Sequence, residues 1–389
     1  MEELKRLAII TTHPIQYNAP LFSQLAKSKK IDIKVFYSWG QACDAIFDPG
    51  FGKVRKWDIP LLEGYRYEFL NNVSKKPGSH HFRGISNPDI IKKIDAFFPD
   101  AILVFGWAFS SHLKVLRHYK GRIQVYFRGD STLIDEYRGF GFKKLVRRFF
   151  LKWVYSFVNV AFYTGAKNKE YYLAHGLREH QLLFAPHSIE NERFFTTDEI
   201  LAQARSLKSK LNIPEEDIVF LFAGKFHPKK DPITLIKAFE KLEDNKYHLV
   251  LAGNGSMEEE LRRLTKNKPN IHYLPFQNQS KMPSLYHLCD IFILPSKGPG
   301  ETWGLVLNEA MAAGKPVIAS DKVGAAYNLI REGYNGFIFK NGDSTDLCNK
   351  IGLILKEDLS EMGDHSLDLL KKYNLSFLST VIESAIINQ

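Results

Sequence analysis

Twelve short apolar runs recur along this chain, six in each half, and between them lie stretches with helical spacing or turn residues. A run of four to six apolar residues without polar alternation suits a strand covered on both faces. Such strands belong to parallel sheets, whose crossovers need helices. In the first half the predicted strands are Leu7–Thr12, Asp32–Tyr37, Ala101–Gly106, Arg122–Phe127, Asn159–Thr164 and Leu182–Ala185. In the second they are Ile218–Ala223, Tyr247–Ala252, Ile271–Leu274, Ile291–Pro295, Pro316–Ser320 and Gly336–Phe339. The expected fold class is therefore α/β, as two similar halves, since 389 residues exceed one ordinary core. The join is predicted near Ile189–Thr197, giving domains 1–190 and 191–374, and a closing helix is predicted over Leu375–Ile387 after Tyr373-Asn374. Asn87-Pro88 reads as a cap with proline at the first position of a helix over Asp89–Phe98.

Charge is unevenly placed. The net +10 resides in the first 190 residues, which hold 29 Lys+Arg against 17 Asp+Glu. Its densest piece, Arg138 to Lys152, carries Arg138, Lys143, Lys144, Arg147, Arg148 and Lys152 with no acid, interleaved with Phe140, Phe142, Leu145, Phe149, Phe150 and Trp153. A basic, aromatic helix of this kind can lie on an anionic membrane surface. The alternative is an ordinary amphipathic helix with its apolar side in the core. Nucleic-acid binding is a third reading, but no recognisable nucleic-acid module accompanies the charge. No apolar run reaches the length that spans a bilayer, and no signal peptide is read at the N-terminus. Cys43, Cys289 and Cys348 are odd in number and scattered, which suggests reduced thiols in a cytoplasmic setting and packing roles.

The segment Pro299-Gly-Glu301-Thr-Trp-Gly304-Leu305-Val-Leu-Asn-Glu309-Ala-Met-Ala-Ala-Gly314 follows a predicted strand and opens a predicted helix near Gly304, with Gly314 and Pro316 as its stop. Glu309 is expected in the second turn and Glu301 in the loop before it. Ionised carboxylates only accept hydrogen bonds, so a pair aimed into one pocket suits a ligand rich in hydroxyls. Amides at a helix start suit a phosphate. Together they describe a nucleotide sugar, against the plainer reading of two solvated helix-end glutamates. A second loop, Ala223-Gly224-Lys225-Phe226-His227-Pro228-Lys229-Lys230-Asp231-Pro232, also follows a strand. Asp231 can cap the helix Pro232–Lys241, and Lys225 and Lys230 are delivered to a strand-end loop where two ammonium groups can offset a diphosphate. Lys229 is read as solvent-facing. Gly253-Asn254-Gly255 ends another strand and precedes Ser256-Met-Glu-Glu259, a capping-box pattern.

These segments, with Lys315-Pro-Val-Ile-Ala-Ser320 and Gly333-Tyr-Asn-Gly-Phe337, closely resemble the nucleotide-sugar motif of glycosyltransferase family 4, the retaining glycosyl transferases of group 1. The resemblance covers about Ile218 to Phe339 well and the N-terminal half in its general pattern. It implies the GT-B architecture, two Rossmann-like domains with parallel sheets facing a central cleft. In it the N-terminal domain binds the acceptor and is joined by the C-terminal helix, residues 375–389, and the C-terminal domain binds the donor. It assigns Glu301 to the donor sugar, Glu309 to the ribose, Lys225 and Lys230 to the donor phosphates, and places Gly253-Asn254-Gly255 and Pro275-Phe276 beside the nucleotide. It also implies transfer with retention, without a metal or other cofactor, to a cell-envelope polysaccharide or lipid-linked glycan. No Asp-x-Asp motif appears, in keeping with a metal-independent enzyme.

The first half departs from the family pattern. Its first strand-end loop, Thr11 to Pro20, lacks the glycine-rich turn, and His13 and Gln16 are its candidates for donating to phosphate or sugar oxygens. At Tyr126-Phe-Arg128-Gly-Asp130-Ser131, where many relatives carry a histidine, Asp130 either orients an acceptor hydroxyl or caps the next helix. A nucleotide-sugar epimerase or hydrolase on the same architecture is the alternative activity, and a non-catalytic binding protein a more distant one.

Overall fold

The computed structural model of the chain describes residues 4–40, 46–48, 53–55, 57–136 and 141–388. Arg138, Phe140 and Cys43 lie outside them. The chain divides into two compact units, Met1–Ile46 with Pro60–His187 and Leu375–Gln389, and Phe47–Ile59 with Ser188–Asn374.

In chain order the strands are β1 (Arg6–Thr11), β2 (Asp32–Tyr37), β3 (Ile46–Asp48), β4 (Lys53–Arg55), β5 (Tyr67–Phe69), β6 (Ala101–Phe105), β7 (Gln124–Arg128), β8 (Val160–Tyr163), β9 (Leu182–Phe184), β10 (Ile218–Ala223), β11 (Tyr247–Ala252), β12 (Ile271–Leu274), β13 (Ile291–Leu294), β14 (Val317–Ser320) and β15 (Gly336–Phe339). The first unit holds a seven-stranded sheet in the order β5-β2-β1-β6-β7-β8-β9, and the second a six-stranded sheet in the order β12-β11-β10-β13-β14-β15. Both sheets are parallel throughout the described pairings. All twelve predicted strands are present. Strands β3 and β4, which pair as a separate two-stranded sheet, and the edge strand β5 are additional; the three residues of β5 are half-buried or exposed, so it carries no apolar run to find.

Alternate residues of the first sheet feed two cores. Ala8, Ile10, Ile102, Val104, Val125 and Phe127 pack with Leu113, Leu116, Leu151 and Val154 on one face. Leu7, Ile9, Val35, Leu103 and Tyr126 pack on the other with Leu21, Phe22 and Leu25 of helix Ala19–Ser28. That second face is completed by Leu378, Ile382 and Ile386 of helix Leu375–Ile387, whose Ala385 carbonyl accepts from the Tyr126 hydroxyl and whose Glu383 pairs with Lys30 at 3.1 Å. In the second sheet Phe220, Phe222, Leu249, Leu251 and Ile293 meet Leu235, Ile236 and Phe239 of helix Pro232–Phe239 and Leu347 and Ile351 of helix Ser344–Ile354.

Three local expectations are corrected. The helix after Pro88 is shorter, Ile90–Asp95, and Asn87 does not cap it, because its buried amide donates to the carbonyls of Ser38 (3.0 Å) and Asn71 (2.9 Å). The capping box at Ser256–Glu259 does not form; the helix begins at Glu258 behind Met257, without a side-chain cap. Asp231 precedes its helix in the left-handed region at φ 49°, and its Oδ2 accepts from the Thr234 hydroxyl at 2.7 Å, not from a helix amide.

Candidate functional site

Open parallel sheets bind ligands outside the carboxyl ends of their strands, where the strand order reverses. In the second unit that reversal falls between β10 and β13, which are neighbours in the sheet. The loop after β10 carries Gly224, Lys225 and Lys230, and the loop after β13 carries Glu301 and leads to helix Val306–Ala312. The sequence therefore puts its two most informative loops side by side.

Lys230 Nζ donates to Glu301 Oε2 at 2.6 Å, and the Ser296 hydroxyl donates to the same oxygen at 3.0 Å. Both charged side chains are mostly withdrawn from water, at 20% and 8% exposure, so each depends on the other for compensation. Glu309 is more deeply buried, and its Oε2 accepts from the Tyr286 hydroxyl at 2.7 Å. The helix starts later than the sequence suggests, behind Leu305, which puts Glu309 in the first turn instead of the second. Gly304 explains the offset. It sits at φ 101°, with Leu294 and Val323 carbons 3.0 Å from where a Cβ would lie, so the chain turns there before the helix can begin.

The surrounding loops hold one another by backbone. Lys229, read from sequence as solvent-facing, is half-buried and donates its ammonium to the Gly300 carbonyl; the Lys229 carbonyl accepts from the Lys297 amide at 2.9 Å. Lys297 Nζ in turn lies 3.4 Å from Asp231 Oδ1. The Gly324 and Ala325 amides bond the carbonyls of Glu301 (3.0 Å) and Trp303 (2.9 Å), and the Trp303 indole donates to Asn308 at 2.8 Å. Glu301 is thus fixed from both sides.

Gly253, Asn254 and Gly255 form a spacer between two loops. A Cβ on Gly253 would lie 1.9 Å from the Gly224 carbonyl oxygen, so only glycine permits that approach. Asn254 accepts from the Phe276 amide at 2.8 Å through its side chain and from the Phe226 amide at 2.9 Å through its carbonyl. Pro275 and Phe276 are consequently held beside Gly224 and Lys225, and Trp57 meets the Phe276 ring with centroids 6.4 Å apart.

The remaining predicted residues belong to the first unit, at the carboxyl ends of its own strands. His13 and Gln16 lie between β1 and the following helix, at the β1/β6 reversal. His13 Nδ1 is 3.0 Å from the Thr12 hydroxyl and its ring meets Trp39 edge-on. Asp130, past β7, caps no helix and lies 3.9 Å from His187 Nε2. Arg128 is buried and donates to the carbonyls of Ala185 (2.6 Å) and Pro186 (3.0 Å), a structural brace between strand ends. Burial, followed by the charge of Arg128, lowers the His187 pKa to about 4. His187, Tyr286 and Ser296 were not singled out from sequence. Ser296 had a signal, a polar residue directly after an apolar strand; His187 and Tyr286 acquire their partners only through the fold. A cavity of about 710 Å³ at the other end of helix Val306–Ala312, lined by Tyr334 and His365 among others, includes none of the predicted residues. Cys289 is buried, its thiol pushed up to about 12 by burial, in keeping with a packing role.

The family pattern of glycosyl transferases group 1 matches residues 203–366, which include both loops and both glutamates. The chain is a glycosyltransferase. An uncharacterized glycosyltransferase of Methanocaldococcus jannaschii, MJ1178, is 28% identical over 284 residues, 64% of this chain and 78% of that one. The lipopolysaccharide 1,2-N-acetylglucosaminetransferase of Salmonella typhimurium is 31% identical over 165 residues, covering 39% of this chain and 43% of its own length. Across the full fold, the crystal structure of Anabaena Alr3699/HepE in complex with UDP superposes with a TM-score of 0.74 at 16% identity, covering 99% of this chain and 100% of that one. This glycosyltransferase has the GT-B architecture of two parallel-sheet α/β domains.

Proposed function

We propose that the enzyme moves a sugar from a nucleoside diphosphate sugar to an acceptor hydroxyl of a cell-envelope polysaccharide or lipid-linked glycan, with retention of anomeric configuration, on the cytoplasmic side of the membrane. The observation that carries this reading is the Lys230–Glu301 ion pair at the strand-order reversal of the second unit, with the buried Glu309 in the first turn of the helix that follows. Two relatives agree with it: Anabaena HepE has been crystallised with UDP and glucose, and the Salmonella enzyme acts on lipopolysaccharide by its name.

In this reading the second unit binds the donor and the first the acceptor. Glu309 accepts from ribose hydroxyls, with the Tyr286 hydroxyl holding one oxygen in place. Glu301 accepts from hydroxyls of the donor sugar. Lys225, Lys230 and the backbone amides of Gly304 and Leu305 face the diphosphate. Charge builds on the departing diphosphate as the glycosidic bond lengthens, so these donors bind the transition state more strongly than the ground state. Gly224, the Gly253–Gly255 spacer and the Pro275-Phe276 backbone line the nucleotide. In the first unit Asp130, His13 and Gln16 are the acceptor-side candidates. No metal is required, so turnover is expected to persist in EDTA.

The test is a panel of nucleotide sugars read by thermal shift. Stabilisation by the correct donor is expected to fall at least about tenfold in apparent affinity with Glu309→Gln and with Lys230→Met, each compared with its own ligand-free melting point. Unchanged ligand-induced shifts in both variants reject the site. Product analysis without acceptor separates transfer from epimerisation or hydrolysis.

A further inference from the structure

Helix Phe142–Tyr155 turns its apolar stripe away from the protein. Phe142, Leu145, Val146, Phe149, Phe150 and Trp153 recur at three- and four-residue spacing and therefore share one face. That face points to solvent: Phe142 is 80% exposed, Phe149 64% and Leu145 52%. The helix contacts the core through Leu151, Val154 and Tyr155 instead, so the reading in which its apolar side packs inward is overturned. The stripe continues onto neighbouring rings, since Phe150 meets Trp107 at 5.5 Å and Trp153 meets Phe157 at 5.0 Å between centroids.

Cations frame the stripe. The helix has no acid, and Lys143, Arg148 and Lys152 are exposed on it. From the preceding helix, Ser110–Tyr119, and its end, Arg117 lies over the Trp153 ring at 5.6 Å and Lys120 over Phe157 at 5.4 Å. Arg147 is drawn aside, paired with Glu136 and donating to the Tyr171 hydroxyl at 3.2 Å, so it does not belong to this frame as the sequence suggested. Lys144 faces the same acid at 3.9 Å.

We propose that this face docks on an anionic lipid bilayer, with the aromatic stripe sunk into the headgroup layer and Lys143, Arg148, Lys152, Arg117 and Lys120 at the level of the lipid phosphates. An apolar stripe alone could be covered by a second copy of the chain. The charge frame decides against that, because two copies meeting through it would oppose like charges, whereas an anionic surface complements them. The inference is independent of donor binding, which belongs to the other unit.

The experiment is flotation of the full chain with vesicles of phosphatidylcholine alone and of phosphatidylcholine mixed with phosphatidylglycerol, at low and high salt. Binding is expected to the mixed vesicles and to weaken with salt. Phe142→Ser/Phe149→Ser and Lys143→Glu/Lys152→Glu should each lower partitioning at least about tenfold, leaving the melting point and the nucleotide response unchanged. Absent flotation at low salt, equal binding to neutral vesicles, or unchanged partitioning in both variants overturns the proposal. So does light scattering that shows a dimer dissolved by the phenylalanine changes, because a second copy would then cover the face.

Discussion

Lys230 and Glu301 form an ion pair, although the proposed function gives one to the diphosphate and the other to the sugar. The two assignments are compatible if the ammonium is shared, since it has three donors and the carboxylate occupies one. Removing the lysine alone strands a buried carboxylate, at a cost of about 3 kcal/mol. Lys230→Met is therefore expected to melt below the parent, and Lys230→Met/Glu301→Gln to recover part of the loss; a double variant no more stable than the single would show that the pair is not coupled. Glu309 has a different support. Tyr286→Phe deletes a buried hydrogen bond to a carboxylate, about 2 kcal/mol, and should weaken donor affinity about tenfold, measured by calorimetric titration. Affinity equal to that of the parent would separate the tyrosine from ribose binding. The glutamates and lysines were visible in sequence because their chemistry and spacing are local. Tyr286 and His187 were not, because neither stands in a motif: one is a tyrosine inside the apolar helix Met282–Leu288 and the other a histidine in the chain after β9.

At the level of elements, sequence located strands better than helix ends. An apolar run marks a covered strand directly, whereas a cap depends on where the side chain finds its partner. Asn87 and Asp231 have the right type for caps and spend their side chains on Ser38 and Thr234. Helix Ser110–Tyr119 shows the same dependence on neighbours. Its buried His112 has Nε2 2.9 Å from the Ser38 hydroxyl and Nδ1 2.9 Å from the Gly106 carbonyl, and burial lowers its pKa to about 4. The unfolded chain takes up this proton near pH 6.5 while the folded chain does not until about pH 4. Stability from this group is therefore complete above about pH 6.5 and is lost as the pH falls toward 4, at about 1.4 kcal/mol per pH unit. Urea midpoints should drop between neutral and mildly acid pH. His112→Gln should begin less stable and lose less on acidification; equal losses would assign the acid sensitivity elsewhere, for instance to His187 or His272, whose pKa values burial also lowers to about 4.

Over the whole molecule, the two sheets and their order of appearance were legible from twelve apolar runs, while the path that takes residues 47–59 into the second unit was not. Nothing in the spacing of residues 47–59 marks them as belonging with 188–374. The closing helix Leu375–Ile387 was legible as a helix, and what it contributes is visible only in the fold: Leu378, Ile382 and Ile386 fill one face of the first sheet. Burying each is worth roughly 2 kcal/mol, so a chain stopped after Asn374 should lose most of the stability of its first unit. Limited proteolysis should then degrade residues 60–187 and spare 198–370; equal resistance of both would show that the helix is dispensable. A ribosome makes the first unit's sheet before residues 188–374 and delivers this helix only after them. Until then the nascent chain must carry Ile9, Val35 and Leu103 without their cover, and the second unit, nearly continuous in sequence, can be finished first.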